Sequence, residues 1–471
     1  MEMDTKIIKK FIVDWVEENE SEFHELSQFM FDNPELPMQE HSATELAVSI
    51  ARKHGFDVDI GVAGMPTAFV CTYGHGKPLM GFSVELDALP GLSQKVSTKQ
   101  EPVKAGAPGH GCGHCLLGPG ALMAGIAMRY AAEKFGLVCT IKIFGTPGEE
   151  NCVGKPFMAR AGLFDDVDVF FDWHPTAINS FSPRANNAFF SKLYHFKGKT
   201  SHGNSPWHGK SALDAAMLMG HAVEMLREHY PPGTEAAANT INYTFPDVGG
   251  GFPNVVPERT TAWYVGRFNN TELMLDVLER VDNCARGAAL ATGTLLEMQL
   301  ITAVHEKIPN ETLAQLMHDN YLELGPLPIT DDEQLFAKEM QKSTGNEEIG
   351  IVQNTVAPST VDGAVSDISE YSWIAPLGTF WPSVAPGPAF HHWIIVSTSG
   401  SNIGKKAISH AAKLLAYSGI DILAKPEVLL QAKNELNERL GNRTYKCLVP
   451  DDISPPVDMN KEAMARYRSK S

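Results

Sequence analysis

A chain of 471 residues is too long for one ordinary hydrophobic core, so we expect two domains. Apolar residues make up 43% of the chain and charged residues 20%, a composition typical of globular proteins and unlike that of disordered ones. The net charge of -17 argues against nucleic acid and against an anionic membrane surface as partners, which leaves a small molecule as the expected partner.

Residues 1–20 predict an amphipathic first helix, because charged and apolar residues recur at helical spacing. This pattern lacks the unbroken apolar core of a signal peptide, and no run elsewhere reaches the roughly 18 apolar residues of a membrane span. The seven cysteines are odd in number and scattered along the chain, which is typical of buried thiols in the cytoplasm. We therefore expect a cytoplasmic protein without a membrane partner.

The next segment predicts an α/β domain. A capping box at Ser42-Ala-Thr-Glu45 predicts a helix start, and apolar strands at 67–73, 79–86, 138–145 and 168–173 alternate with helices, including one at 117–135. Such alternation is typical of a mostly parallel sheet covered by helices on both faces, in which ligands bind beyond the carboxyl ends of the strands. The polar residues that follow these strands are Asp87, Glu149, Glu150 and His174.

From residue 189 the order of elements changes to β-α-β-β-α-β, which is the order of a compact ferredoxin-like α+β domain. We predict its strands at 189–196, 239–245, 260–268 and 295–306, and its helices at 212–229 and 272–292. Residues 189–306 are thus predicted to be inserted into a catalytic domain that consists of residues 1–188 and 307–471. The tail after Pro450 is predicted to be loosely ordered.

The run Gly109-His-Gly-Cys-Gly-His-Cys115 has two interpretations. Either Cys112 and His114 are half of a metal site, or Cys112 and Cys115 are the dithiol of a redox enzyme. A hydrolytic site with two metal ions needs about five ligands, a carboxylate base and an exposed coordination position. Thiolate and imidazole suit zinc or a similar ion, and one of two adjacent glutamates can bind metal while the other acts as base. Further ligands are available in the Glu149-Glu150 pair, in His174 and in the His391-His392 pair.

Each of these residues, taken alone, is also consistent with an ordinary structural or solvated role. A histidine at a strand end is more often structural than a ligand, and paired glutamates are usually a solvated turn, but their coincidence at one sheet edge favours a site. The dithiol interpretation needs a strand that leads directly into the motif, whereas residues 95–111 form a polar connection rich in glycine and proline. A disulfide between Cys112 and Cys115 would remove a ligand, so we expect oxidation to inactivate the protein.

Six sequence blocks spread through nearly the whole chain carry a family resemblance. They are ELDALPGL at 85–92, HGCGH at 110–114, GTPGEE at 145–150, DWHP at 172–175, SH at 201–202 with GKSALD at 209–214, and GGGFPNVVP at 249–257. With these blocks the sequence resembles the di-metal amidohydrolase family of aminoacylases, indole-acetyl-amino-acid hydrolases and p-aminobenzoyl-glutamate hydrolases. Within that family it most resembles the branch that contains the B subunit of p-aminobenzoyl-glutamate hydrolase.

The resemblance implies a centre of two divalent metal ions, manganese or zinc, in which Cys112 is a bridging thiolate. The further ligands that it implies are His114, Glu150, His174 and His391. It also implies that Glu149 is the general base and that Asp87 fixes a ligating imidazole by a hydrogen bond. One position departs from the family, because Cys115 stands where relatives usually have Asp or Asn, and a thiol is a poorer hydrogen-bond partner.

The resemblance further implies a homodimer through the inserted domain, which would also act as a lid. His202 would then reach the partner subunit's site and stabilise the developing oxyanion. Asn254 and Arg267 match positions that hold a substrate carboxylate in relatives, and a planar guanidinium suits that task. Taken alone, Arg267 is also consistent with a solvated cation at a strand end.

We therefore expect metal-dependent hydrolysis of the amide bond in an N-acyl or N-aroyl amino acid, or in a dipeptide-like compound with a free carboxylate. Two other classes stay open at this point, a non-catalytic metal-binding subunit of a heteromeric hydrolase and a thiol oxidoreductase. Four aromatic residues near the last ligand could line an aroyl pocket, although core packing is expected for most of them. They are Trp373, Phe380, Trp381 and Trp393.

Overall fold

The computed structural model describes residues 4–181, 185–355, 364–387 and 390–468. The chain begins with α1 (Thr5–Asp32), α2 (His41–Lys53), β1 (Asp57–Ile60), β2 (Phe69–Gly74), β3 (Leu79–Val84), α3 (His114–Phe135), β4 (Thr140–Gly145), α4 (Gly154–Arg160) and β5 (Val169–Trp173). Then come β6 (Ala188–Lys197), α5 (Ala212–Leu226), β7 (Thr240–Asp247), β8 (Arg259–Phe268), α6 (Thr271–Thr292) and β9 (Leu295–Val304). The remainder contains α7 (Glu311–Leu324), α8 (Asp331–Ser343), α9 (Ser369–Ile374), β10 (Leu377–Phe380), α10 (Trp393–Ser399), α11 (Asn402–Ala424), α12 (Pro426–Leu440) and α13 (Lys461–Ala465).

The larger sheet has the strand order β1-β2-β4-β3-β5-β10. Strands β4, β3, β5 and β10 run parallel, whereas β2 pairs antiparallel with both β1 and β4. The carboxyl ends of the four parallel strands therefore meet at one edge of the sheet. The predicted α/β class with a mostly parallel sheet is confirmed. Strand β1 was not predicted, because it is short and largely exposed and so lacks the apolar alternation of a half-buried strand.

Helix α3 is the central helix of the larger domain, and most of its residues are buried against the sheet, α1 and α11. Close packing depends on two glycines. A Cβ at Gly118 would lie 2.5 Å from the carbonyl oxygen of Glu85, and one at Gly120 would lie 2.9 Å from the Trp173 ring. Within the described residues, α3 alone has the length and apolar composition of a membrane-spanning helix, and it is buried inside the fold.

The second sheet has the strand order β7-β8-β6-β9, and all of its pairings are antiparallel. Helices α5 and α6 pack on it around a separate apolar core that includes Tyr194, Met219, Tyr264 and Val281. This order of elements and strands is that of a ferredoxin-like α+β unit, as predicted. It is inserted between β5 and α7 of the larger domain, so that the chain leaves the first sheet and returns to it.

Two local expectations are wrong. Ser42 does not cap α2, which begins at His41; instead the Glu35 carboxylate accepts hydrogen bonds from the backbone N–H groups of Ser42 and Ala43, at 2.9 and 3.0 Å. The tail after Pro450 is ordered as far as it is described. The Gln39 amide donates to two tail carbonyl groups, and the Tyr467 hydroxyl donates to the carbonyl of Gly106 at 2.7 Å. The tail was misjudged because polar sequence does not reveal backbone hydrogen bonds to distant loops.

Candidate metal centre and active site

Two groups of metal-ligand atoms lie side by side at the carboxyl edge of the larger sheet. In each group the ligand atoms lie within 4.8 Å of one another, and Cys112 belongs to both. One group contains Cys112, His114 and His174, and the other contains Cys112, Glu150 and His391. The structure thus brings together all five ligands implied by the resemblance, with the thiol between the two groups.

The turn that carries Cys112 is held from both sides. Gly113 has a left-handed backbone (φ 83°) and immediately precedes α3, and a Cβ at this position would lie 2.5 Å from the Pro175 ring. The carbonyl group of Gly111 accepts a hydrogen bond from the backbone N–H of His391 at 2.7 Å. Close packing against Pro175 and a backbone hydrogen bond therefore join the turn to the segments that carry His174 and His391, which lie far away in sequence.

Asp87 orients the first residue of α3. Its Oδ1 lies 2.9 Å from Nδ1 of His114, and its Oδ2 accepts a hydrogen bond from the backbone N–H of Glu150 at 2.9 Å. Burial acts to lower the pKa of His114, but the Asp87 carboxylate outweighs it and the pKa is raised well above its usual range. The contact at Nδ1 leaves Nε2 of His114 to face Cys112 and His174.

Two buried polar atoms in these groups have no hydrogen-bond partner, Nε2 of His114 and Oε1 of Glu150. Such atoms are rare in proteins, and both are ligand atom types. Burial, followed by the charge of Glu150, raises the pKa of the Cys112 thiol, so a thiolate at this position requires a nearby cation. Thiolate, imidazole and carboxylate together are a donor set that suits a borderline divalent ion. The residues therefore fit two metal ions.

Glu149 lies beside these two groups and belongs to neither, and its carboxylate forms a third cluster of ligand-type atoms with Glu85 and His114. It is buried, its Oε2 lies 3.7 Å from Nε2 of His114, and it borders the same cavity. Burial raises the pKa of Glu149 well above its usual range, and the neighbouring Glu85 carboxylate raises it further. A carboxylate with a raised pKa can both accept and return a proton near neutral pH.

The loop that presents these glutamates is fixed by Glu40. The Oε1 of Glu40 accepts a hydrogen bond from the backbone N–H of Gly148 at 2.8 Å, where the backbone is left-handed (φ 68°). Its Oε2 accepts a hydrogen bond from the Thr67 hydroxyl at 3.1 Å. Burial raises the pKa of Glu40 to about 8. Nothing in the sequence pattern singled out this residue, because a lone glutamate before a helix is commonly solvated.

A buried ionic network below the centre was also missed. The ammonium group of Lys155 is completely buried and lies 2.7 Å from Glu85 Oε1 and 2.5 Å from Asp367 Oδ1. The other carboxylate oxygen of Glu85 lies 3.4 Å from Nε2 of His114. Lys155 thus holds two carboxylates beneath the metal centre. In sequence it looks like an ordinary helix cation, and only the long-range contact with Asp367 reveals its position.

Of the three residues predicted to contact substrate, one lies at the cavity and two lie away from it. Arg267 borders the cavity, with its guanidinium group over the Phe189 ring. His202 and Asn254 are exposed, do not border the cavity, and lie next to each other, because the Gly203 N–H donates to the Asn254 carbonyl group. Within one chain, therefore, Arg267 alone of these three is near the metal groups.

The structure places His391, and not His392, beside Glu150. Nε2 of His391 lies 3.3 Å from Glu150 Oε2, whereas the His392 ring accepts a hydrogen bond from the Ile394 N–H at 3.3 Å and caps α10. Cys115 lies on the other side of the turn, completely buried in the main core, and burial raises the pKa of its thiol to about 12. Cys115 is not part of either metal group.

The cavity over the metal groups has a volume of about 490 Å³. Its aromatic wall consists of Phe189, Trp381 and Phe390. Of the four aromatic residues considered from sequence, only Trp381 borders the cavity; Trp373, Phe380 and Trp393 pack in apolar clusters, as was expected for most of them. The cavity is thus large enough for a small molecule and is partly aromatic.

Comparison with known proteins connects this geometry to a family. Residues 189–292 match the model of a peptidase dimerisation domain, the M20 dimerisation domain. The chain is 32% identical to the B subunit of p-aminobenzoyl-glutamate hydrolase from Escherichia coli, in an alignment that covers 95% of this chain and 98% of the relative. The chain belongs to the M20 peptidase family. It is therefore an amidohydrolase of the metallopeptidase class.

Other members of the M20 family agree. The chain is 26% identical to the Xaa-Arg dipeptidase of Mus musculus over 93% of this chain and 94% of the relative. The crystal structure of an aminobenzoyl-glutamate utilization protein from Klebsiella pneumoniae matches the fold with a TM-score of 0.60 at 16% identity, covering 87% of this chain and 97% of that one. A dinuclear metal-binding M20 peptidase from Bacillus subtilis matches with a TM-score of 0.56 at 15% identity, covering 86% and 98%. These relatives offer no support for the thiol-oxidoreductase interpretation of Cys112 and Cys115.

Proposed function

We propose that this protein hydrolyses the amide bond of an N-acyl or N-aroyl amino acid, or of a dipeptide-like compound, with a free carboxylate on the leaving amino acid. The observation that carries the proposal is the position of Glu149, a buried carboxylate with a raised pKa beside two groups of metal ligands in one cavity. This arrangement supplies a base, an electrophilic centre and room for a small substrate.

We assign the metal ligands to Cys112, His114, Glu150, His174 and His391, and the metal ions to manganese or zinc. When bound, the two ions polarise the scissile carbonyl group and make water more acidic. Asp87 keeps the His114 imidazole in the orientation that exposes Nε2 to the metal. Glu149 accepts a proton from the attacking water and delivers it to the departing amine.

Substrate orientation follows from the guanidinium group of Arg267, which borders the cavity. Arg267 offers a planar guanidinium group that suits the carboxylate of the leaving amino acid. The names of the relatives fit this assignment, since an aminobenzoyl-glutamate and a dipeptide ending in arginine both carry a carboxylate beyond the scissile amide. Asn254 is proposed to assist from the inserted domain.

We propose a homodimer that forms through the inserted domain, residues 189–306, with residues 1–188 and 307–471 as the catalytic domain. The family model for this region describes a dimerisation domain. His202 is exposed and absent from the cavity of its own chain, which supports a role in the partner subunit's site, where it would stabilise the oxyanion. A hetero-oligomer remains an alternative, because two relatives are named as different subunits of one hydrolase.

A cytoplasmic location is also part of this proposal. It is supported by the seven cysteines, all of which carry free thiols, and by the thiolate ligand that the metal centre needs. An oxidising compartment would convert such thiols to disulfides or sulfenic acids and so remove the bridging ligand.

The test is to purify the chain alone, load it with Mn²⁺ or Zn²⁺, and assay p-aminobenzoyl-glutamate, N-acyl amino acids and dipeptides. We expect hydrolysis by the wild type and loss of at least about a hundredfold in kcat for Glu149→Gln, because proton transfer is removed while metal binding is kept. Glu133→Gln, an exposed change at the far end of α3, is the matched control. Metal-loaded protein that hydrolyses none of these compounds would instead support a non-catalytic subunit. Wild-type turnover by Glu149→Gln would remove the assigned base.

A further inference from the structure

One buried carboxylate in the cavity is left without a task by the proposed function. Asp172 lies at the end of β5, is only 2% exposed and borders the cavity, and its Oδ1 has no hydrogen-bond partner. Leaving such an oxygen unpaired is costly, so an atom of this kind in a binding cavity calls for a ligand group.

Metal ions do not account for Asp172. Two other unpaired atoms near the cavity, His114 Nε2 and Glu150 Oε1, belong to the two groups of metal ligands. Asp172 belongs to no group of metal-ligand atoms within the residues that the structure describes. Once the metal groups are assigned, Asp172 is the remaining residue of the cavity wall, within that part of the chain, that has a buried side-chain oxygen without a partner.

The neighbours of Asp172 distinguish it from the structural carboxylates nearby. Glu85 and Asp367 are held by the Lys155 ammonium group at 2.7 and 2.5 Å, and Asp87 is held by His114. Burial, followed by the negative charge of Glu85, raises the pKa of Asp172 well above its usual range, and the positive charges of Lys155 and Lys307 offset this only in part. Among these four carboxylates, Asp172 is therefore the one with an oxygen that can accept a hydrogen bond from the substrate.

The position of Asp172 relative to Arg267 indicates which half of the substrate this group belongs to. Arg267 is on strand β8 of the inserted domain, whereas Asp172 is on β5 of the larger sheet, two residues before His174, and both border the same cavity. The proposed function places the carboxylate of the leaving amino acid at Arg267. A group that meets the other domain, at Asp172, then comes from the acyl half.

We propose that Asp172 accepts a hydrogen bond from an amine on the acyl half of the substrate, so that the enzyme prefers amine-bearing acyl groups, aromatic or aliphatic, over their counterparts without the amine. This inference rests on the proposed function. The shared chemistry is an N–H donor, and its two sources are an aminobenzoyl group, which would lie against Phe189, Trp381 and Phe390, and an aminoacyl group of a dipeptide.

The test uses pairs of substrates that differ only in the amine, assayed with metal-loaded enzyme. One pair is p-aminobenzoyl-glutamate and benzoyl-glutamate, and the other is alanyl-glutamate and propionyl-glutamate. We expect the wild type to favour the amine-bearing member of at least one pair by about tenfold in kcat/KM, as for one hydrogen bond in a buried site. The pair that shows the preference identifies the source of the amine.

The variant Asp172→Ala is expected to reduce that preference to within about twofold. The ratio is read within one protein preparation, so partial loss of folded or metal-loaded enzyme cancels. Asp172→Asn, which is nearly isosteric and keeps an acceptor oxygen, is expected to retain part of the preference for the neutral aromatic amine and to lose it for the aliphatic ammonium group.

Three results would overturn the inference while leaving the proposed function intact. The first is equal kcat/KM values within both pairs in the wild type, and the second is an unchanged preference in both Asp172 variants. The third is that the Asp172 variants change only the preference for the leaving amino acid, measured with substrates whose leaving residue is either arginine or glutamine. Absence of hydrolysis of every compound, in contrast, would be a failure of the proposed function itself.

Discussion

Oδ1 of Asp87 lies 2.9 Å from Nδ1 of His114, and through this contact the end of β3 sets the orientation of the first residue of α3. The other oxygen of Asp87 holds the backbone N–H of Glu150. One carboxylate thus controls a ligand in each of the two metal groups, which also share Cys112. The alignment of the two metal ions is therefore expected to depend on a residue that contacts neither of them.

We predict that Asp87→Asn weakens binding of both metal ions by about ten- to a hundredfold, because the amide lacks the charge that supports the His114 imidazole. Titration of the metal-free protein with Mn²⁺ or Zn²⁺, followed by calorimetry, measures the change. Asp168→Asn is the matched control, since Asp168 forms ion pairs with Lys77 and Lys433 at the opposite end of the sheet. Equal metal affinity in the two variants would contradict the role given to Asp87.

The two adjacent histidines provide a sharper comparison. His391 has a left-handed backbone (φ 51°) and His392 caps α10, and asparagine tolerates both situations. We predict that His391→Asn loses more than about a hundredfold in affinity for one metal ion and most of the activity, since a ligand is removed. His392→Asn should keep both within about threefold, because the cap is preserved. The metal content and kcat/KM of the purified variants test this prediction. If His392→Asn lost metal and activity while His391→Asn kept them, His392 would be the ligand instead of His391.

Sequence reasoning predicted the position of a residue in the fold where that residue follows a strand of the parallel sheet. Asp87, Glu149 and His174 each stand at such an end, and parallel strands bring their carboxyl ends together whatever the details of packing. Cys112 and His114 were found because a glycine-rich turn before a helix is locally recognisable. These features depend on periodicity and local backbone geometry, which a sequence carries directly.

The missed residues depend on contacts between distant segments. Asp367 is 212 residues from Lys155, and nothing in the local pattern of either residue indicates that they meet. The sequence contained Asp172 in the DWHP block but indicated no role for it, because its unpaired oxygen is a property of the folded cavity. His202 and Asn254 are a further case, since one chain does not bring them to its own cavity. Long-range pairing and assembly therefore account for what the sequence left open.

The pH dependence of stability should reveal His410, which is remote from the metal centre. This histidine is buried in α11 with its Nε2 2.8 Å from the Gly325 carbonyl oxygen, and burial lowers its pKa to about 4. Between the unfolded value of 6.5 and the folded value of about 4, the unfolded chain binds a proton that the folded chain does not. The stabilisation is therefore complete above pH 6.5 and is lost as the pH falls toward 4.

We predict that wild-type protein loses on the order of 3 kcal/mol over this interval relative to His410→Gln, which keeps a donor for Gly325 but does not titrate. Urea unfolding at a series of pH values measures the difference, and the subtraction removes the contribution of other titrating groups. Parallel pH profiles for the two proteins would show that His410 titrates normally.

The network around Lys155 leads to the last prediction. Its ammonium group is completely buried between Glu85 and Asp367, so Lys155→Met would leave two buried carboxylates without their cation. Breaking a buried pair in this way costs about 3 to 5 kcal/mol, whereas removal of a surface pair costs at most about 1 kcal/mol. Lys142→Met is the matched control, because Lys142 on β4 pairs with a half-exposed Asp166 at 2.7 Å. Urea unfolding of the metal-free proteins gives both values.

If the two variants lost equal stability, the Lys155 network would contribute no more to stability than a surface ion pair does. If Lys155→Met is destabilised as expected, Lys155→Met combined with Asp367→Asn should recover part of the loss, since one of the two uncompensated carboxylates is then neutral.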